Sequence, residues 1–248
     1  MSATVHVAET AEAAGAVAAE FVANRLAAPG SGRVLGVATG SSPQPLYRAL
    51  SAAGIDLAGV TAFALDEYVG LPPEHPESYE SVVRRDVTEP LGLDPARVHV
   101  PDGVRSDPDA GAVEYDRAIR AAGGIDVQVL GIGANGHIGF NEPGSESGSR
   151  TRVVALAEST RRANARFFAS VADVPTNAVT QGIGTVLEAR SIVLVATGAD
   201  KAEAVRAALE GPVTRTCPAS FLQRAADVLF CLDREAAGRL SRFGAASI

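Results

Sequence analysis

Two hydrophobic patterns alternate along this chain. Continuous, largely apolar runs of four to six residues recur at Arg33–Ala38, Val60–Leu65, Arg97–Val100, Ile125–Leu130, Ser191–Ala196 and Asp227–Cys231. Unbroken apolar character of this length predicts strands covered on both faces, as in a parallel sheet. Between them stand stretches with helical start and stop signals. Thr10–Ala28 is alanine-rich and closed by Pro29-Gly30-Ser31-Gly32, and a second helix opens at Pro43, a favoured first-turn residue. Further helices are expected near Ser78–Val87, Pro108–Ala122 and Ser159–Ala169, on a segment carrying Lys201, and after Cys231. Arg152–Ala155 is one more short segment. The alternation predicts an α/β fold: a doubly wound, mostly parallel sheet with helices on both faces, Rossmann-like, as a single domain over residues 1-248.

Such sheets bind ligands outside the carboxyl ends of their strands. Four polar pieces fall at that edge: Thr39-Gly40-Ser41-Ser42, Asp66-Glu67-Tyr68, Gly131–Glu142 and Gly198–Lys201. The loop Gly131-Ile132-Gly133-Ala134-Asn135-Gly136-His137-Ile138-Gly139-Phe140-Asn141-Glu142-Pro143 is the richest of them. Its glycines permit close approach of backbone to a ligand, and its histidine and glutamate are groups that move protons. His137 and Glu142 can form an imidazole–carboxylate pair that sets the tautomer and supports the imidazolium. Asp66 ends an apolar strand at the crevice mouth, where lost hydration lifts a carboxyl toward the range of a general base. Taken alone, a strand-end carboxylate also suits capping of the next helix, and a lone histidine suits a structural role. Convergence on one crevice is what favours catalysis.

Thr39–Ser42 join a strand to a helix, so their N–H groups and hydroxyls can hold a phosphate. A hydroxyl-rich N-cap without ligand fits the same residues. No Gly-Lys-Ser/Thr follows, which excludes a Walker loop. Gly131-x-Gly133-x-x-Gly136 matches a dinucleotide pattern, but His137 and Pro143 leave no helix to receive a pyrophosphate. Lys201 is the only lysine among 22 cationic residues, which favours a need for a compact ammonium at that edge. Arg162 and Arg166 share a face of the basic segment Ser159–Phe168, and either can turn onto a phosphate.

The net charge of −7 argues against a nucleic-acid or anionic-membrane surface, so a few local cations must meet any anionic ligand. Cys217 and Cys231 read as small buried hydrophobes in a reducing compartment, and no cluster has metal-ligand spacing. No stretch approaches the roughly 18 apolar residues of a membrane span, and no leader pattern opens the chain. A cytoplasmic, metal-free protein is expected.

These stretches together resemble the glucosamine-6-phosphate deaminase (isomerase) family. The matching residues are Ala64–Leu71, His75–Tyr79, Gly131–Pro143, Ser149–Arg152, Asn164–Phe168 and Ala178–Thr185, within a likeness running from about Val34 to Gln223. The family converts an aminosugar phosphate to fructose 6-phosphate and ammonia without a redox cofactor. The resemblance implies that Asp66 takes the C2 proton and returns one to C1, and that His137, supported by Glu142, opens the pyranose ring. It puts Thr39, Gly40, Ser41, Arg166 and Lys201 around the phosphate, with Ser42 beside them.

Some members carry an aspartate where this chain has Asn135. An amide oxygen there can still accept the imidazole N–H but supplies no counter-charge, leaving Glu142 as the main electrostatic partner of His137. Allosterically activated members add polar and cationic groups after the Ser-Arg-Thr-Arg string and a tyrosine near the C-terminus. Here Val153, Val154 and Ala155 follow, and no tyrosine lies beyond Tyr115, so activation by N-acetylglucosamine 6-phosphate is not expected. Whether the chain forms a homo-oligomer stays open, as does a preference for galactosamine 6-phosphate. A 6-phosphogluconolactonase on the same scaffold has Asp-Gly-His-Thr in place of Asn135-Gly136-His137-Ile138, and Asp-Glu-Arg as its early motif. A sugar-phosphate sensor needs a DNA-binding module that the first 32 residues do not supply.

Overall fold

The computed structural model describes residues 3–241. Among them are ten strands: β1 (Thr4–Ala8), β2 (Val34–Val37), β3 (Thr61–Ala64), β4 (Asp66–Tyr68), β5 (Val98–His99), β6 (Val127–Leu130), β7 (Arg152–Ala155), β8 (Asn177–Thr180), β9 (Ser191–Ala196) and β10 (Val228–Asp233). The α-helices are α1 (Ala11–Ala27), α2 (Gln44–Ala52), α3 (Tyr79–Val83), α4 (Pro108–Ala121), α5 (Glu158–Asn164), α6 (Ile183–Leu187) and α7 (Ala202–Glu210). Seven strands make one sheet in the order β1-β10-β9-β6-β2-β3-β5, every pair parallel. All six expected strands are in it. β1 is an addition; it is an edge strand paired only with β10, and its exposure alternates accordingly.

Both faces of this sheet are covered, as unbroken apolar strands require. Leu35, Val37, Ala62 and Ala64 share one cluster with Ala14, Ala18 and Val22 of α1 and Leu46 and Leu50 of α2. Val34 and Phe63 point the other way, against Tyr115 and Ile119 of α4. Each fully buried Val, Leu or Phe contributes about 1.5–3 kcal/mol, so the double cover is what fixes these strands. The helices start where the caps predict. Thr10 accepts the Ala13 N–H at 3.2 Å, and Asp107 accepts that of Ala110 at 2.9 Å with Pro108 next in line.

Several expectations need correction. The largest is a second, antiparallel sheet, β4-β8-β7, beside the parallel one. Asp66–Tyr68 is not the loose end of a strand but β4 itself, separated from β3 by Leu65 alone. In this sheet Thr180 lies opposite Asp66 on one side and opposite Arg152 on the other. The helix expected over Ser159–Ala169 stops at Asn164 and tightens into a 3₁₀ turn, Ala165–Phe167. That over Ser78–Val87 is α3 followed by a π turn, Arg84–Thr88. Lys201 ends a 3₁₀ turn, Ala199–Lys201, in front of α7 rather than on it. After β10 the backbone forms turns over 234–239, where Asp233 accepts the Ala236 N–H at 2.7 Å. The rest of the helix expected there falls on residues 242–248, outside the described residues. No helix among the described residues is long and apolar enough to cross a membrane.

Strand order reverses between β2 and β6, which opens a crevice at their carboxyl ends. The four neighbouring strands β3, β2, β6 and β9 each send one of the four polar pieces to that edge.

Candidate active site

One cavity of about 780 Å³ occupies this crevice. Asp66, Asn135 and His137 line it together with Thr39–Ser42, Arg166 and Lys201. Of the expected site residues only Glu142 stands behind the wall. Tyr68, Tyr79, Phe140 and Phe168 furnish apolar sides.

β4 is what separates its two acids. Consecutive side chains on a strand face opposite ways, so Asp66 enters the cavity while Glu67 turns behind it. Asp66 is 5 % exposed. Its burial, and then the neighbouring charge of Glu67, pushes its pKa up to about 8, within reach of a base working near neutrality. Gly139 adopts φ +55°, and a Cβ there would sit 3.3 Å from Asp66 Oδ2 and 3.0 Å from Thr180 Oγ1. Glycine thus lets the loop backbone close over Asp66. Glu67 takes the capping role open to a strand-end carboxylate, accepting the N–H groups of Tyr79 at 2.9 Å and Glu80 at 2.8 Å. Burial lifts its pKa to about 7 against those backbone donors.

His137 Nδ1 lies 3.5 Å from Glu142 Oε2. The imidazole packs flat onto Gly133, where a Cβ would fall 2.2 Å from Cε1. Glu142 also accepts the Asn135 amide at 2.7 Å and the Thr160 hydroxyl. Burial would raise its pKa, but His137 and these donors outweigh burial and hold it at about 2. Asn135 departs from expectation. Its Oδ1 accepts the backbone N–H of His137 at 3.2 Å, not the imidazole N–H. An asparagine oxygen reaches the N–H two residues on as a local turn, and the amide nitrogen is then free to aim the carboxylate.

Residues unmarked in the sequence hold this loop in place. Thr180 Oγ1 accepts the Phe140 N–H at 3.1 Å, and Gly136 C=O accepts that of Ala219 at 2.9 Å. The buried Asn141 donates to the carbonyls of Ile138 and Gln181, at 2.9 and 2.8 Å, and accepts from Arg152 at 3.0 Å. Nothing local in the sequence points to Thr180, whose partners lie far away along the chain.

α2 begins after Pro43 without a side-chain cap, so the Ser41 and Ser42 hydroxyls are not consumed in capping. Lys201 Nζ lies 2.9 Å from Asp200 Oδ2, and the Arg166 guanidinium rests 4.6 Å over the Phe167 ring. Arg162 faces away and pairs with Glu158 on the surface. Arg48 and Arg85, not singled out beforehand, also line the cavity, with Glu12 at 3.6 Å and Asp86 at 2.7 Å as their partners.

A family profile described as glucosamine-6-phosphate isomerases/6-phosphogluconolactonase matches residues 6–231. The chain belongs to this family. A glucosamine-6-phosphate deaminase of Pseudarthrobacter chlorophenolicus is 54% identical over 210 residues, covering 84% of this chain and 81% of its own. One from Cutibacterium acnes is 52% identical over 237 residues, 93% of this chain and 89% of its own. Among solved structures, a monomeric glucosamine-6-phosphate deaminase superposes with a TM-score of 0.91 at 40% identity, over 95% of this chain and 99% of that one. The 6-phosphogluconolactonase of Trypanosoma brucei superposes at 0.75 with 21% identity over 96% and 99% of the two chains, a likeness of fold. Within the glucosamine-6-phosphate isomerase/6-phosphogluconolactonase family, this chain therefore sits with the deaminases in sequence and shares its scaffold with both branches.

Proposed function

We propose that this protein converts glucosamine 6-phosphate and water to fructose 6-phosphate and ammonia. The observation that carries the reading is a single cavity lined by a water-poor Asp66 and a Glu142-backed His137 together with the cations Arg166 and Lys201. Arg166, Lys201 and the Thr39–Ser42 turn hold the phosphate, which anchors the sugar. His137 moves the proton between the anomeric hydroxyl and the ring oxygen, and the ring opens. The ionised Glu142 supports the imidazolium that forms on the way. In the open chain, Asp66 takes the proton from C2 and gives an enolamine, then delivers a proton to C1. The resulting C2 imine adds water and expels ammonia.

The decisive experiment measures ammonia and fructose 6-phosphate from glucosamine 6-phosphate, with galactosamine 6-phosphate in parallel. Equimolar products with the wild-type chain and none with Asp66→Asn are expected. Hydrolysis of 6-phosphogluconolactone with no ammonia from either aminosugar would overturn the proposal.

A further inference from the structure

Glu67 has no part in the chemistry proposed above. It follows the base directly on β4, is 3 % exposed, and lies on the back of the strand. There its Oε1 accepts the N–H groups of Tyr68 at 2.7 Å and Tyr79 at 2.9 Å, and its Oε2 accepts that of Glu80 at 2.8 Å. One carboxylate thereby fastens β4 to the first turn of α3. That turn carries the Tyr79 ring, which stacks on Phe140 (centroids 5.8 Å apart, planes at 11°) and leans on Tyr68 at 4.8 Å in the cavity wall. Gly103 closes on it from behind, since a Cβ there would meet the Tyr68 carbonyl oxygen at 2.0 Å and Glu67 Cγ at 3.1 Å.

We propose that Glu67 is a positioning residue for the deamination: it locks the strand–helix junction that carries the base and the tyrosine wall, and its carboxyl, when ionised, puts a negative charge on the blind side of Asp66. The inference rests on Asp66 being the base. Glu80 of α3 and Asp102 of the following loop line the same rear recess as Glu67, and no cation among the described residues does. Tyr68, Tyr79 and Tyr115 face Asp66, and burial pushes all three hydroxyls up, Tyr68 to about 12, so they stay neutral. His137 shares the cavity from the opposite loop. Glu67 is the charge that bears on the Asp66 proton. Burial outweighs its three backbone donors and holds its pKa at about 7, so the charge is present above neutrality.

The test is the pH dependence of kcat/KM for ammonia release in four proteins: wild type, Glu67→Gln, Glu67→Asp and Asp66→Asn. Glutamine keeps the reach and loses the charge, so the acid limb should move to lower pH by about one unit. Aspartate keeps the charge but falls short of the N–H groups, so the limb should stay while kcat drops by about tenfold or more. Equal losses of kcat in both variants with an unmoved limb would overturn the proposal and leave Glu67 a merely structural residue. Far-UV circular dichroism at each pH gives the folded fraction, and rates are divided by it so that pH-dependent unfolding is not read as a shift of the limb. If no folded Glu67→Gln protein is obtained, wild-type kcat in Glu67→Asp overturns the proposal and a large loss with an unshifted limb supports it. Ammonia release by Asp66→Asn would remove the base assignment itself, whatever Glu67 does.

Discussion

Replacing Asp66 by asparagine should abolish turnover and add stability, the second effect only away from acid. In the folded chain, burial and then Glu67 lift this carboxyl from 3.8 to about 8, so the native state keeps a proton that the unfolded chain releases near pH 4. Below that pH both states are protonated and nothing is lost. As pH rises from about 4 to 8, each unit destabilises the native state by roughly 1.4 kcal/mol, and above about 8 the loss is complete. The full span sets a ceiling of about 6 kcal/mol. Relaxation of the cavity wall and water entry on ionisation reduce this, and about 2–3 kcal/mol is the expected size at alkaline pH. Asparagine keeps the shape with no charge to bury. At roughly 2–4 °C per kcal/mol for a chain of this length, its Tm should exceed that of the wild type by about 5–10 °C near pH 8.5 and match it near pH 3. Calorimetric melts at the two pH values measure this. Equal melting temperatures at alkaline pH, or a gain as large in acid, would refute the claim that Asp66 is a desolvated, charge-pressed carboxyl.

Glu142→Gln removes the charge held ready for His137 and should lower kcat by about ten- to a hundredfold with a small effect on KM; steady-state kinetics showing unchanged turnover would contradict the pairing. Lys201→Ala and Arg166→Ala should each raise KM at least about tenfold and leave kcat less affected, since phosphate binding is shared by ground and transition states; a loss confined to kcat would point elsewhere. Gly133→Ala drives a methyl into the imidazole, so activity should fall by about a hundredfold while far-UV circular dichroism stays native; a fully active alanine variant would show that the ring can turn without consequence. Saturation curves should be hyperbolic and unmoved by N-acetylglucosamine 6-phosphate, and a shift of half-saturation by that compound would be the contrary finding.

The main sheet and its crevice were legible because continuous apolar runs and loop glycines are local signals. The runs Val34–Val37, Val127–Leu130 and Ser191–Ala196 announce themselves, and the loops that follow them inherit the ligand edge. The small sheet was not legible. Asp66-Glu67-Tyr68 is buried at all three positions, so it shows neither alternation nor apolar continuity, and its partner Asn177–Thr180 is remote in sequence. Missing β4 also hid the division of labour between its acids, which follows at once from the pleat. Asn135 was misassigned for a different reason: one amide has three plausible partners within the same loop, and only geometry selects backbone N–H and carboxylate over imidazole. Thr160 and Asn141 carry no signal of their own, being ordinary polar residues until a fold brings Glu142 and Arg152 to them.

Thr180 touches both halves of the proposed reaction centre: its backbone lies opposite Asp66, and its hydroxyl receives the loop that bears His137. Asp66 and His137 are therefore gauged from a common post, outside the large sheet. Twisting or breathing of the seven-stranded layer can shift that post as a whole while sparing the spacing between the two groups, leaving the outer strands freer to change than the short ribbon at the crevice.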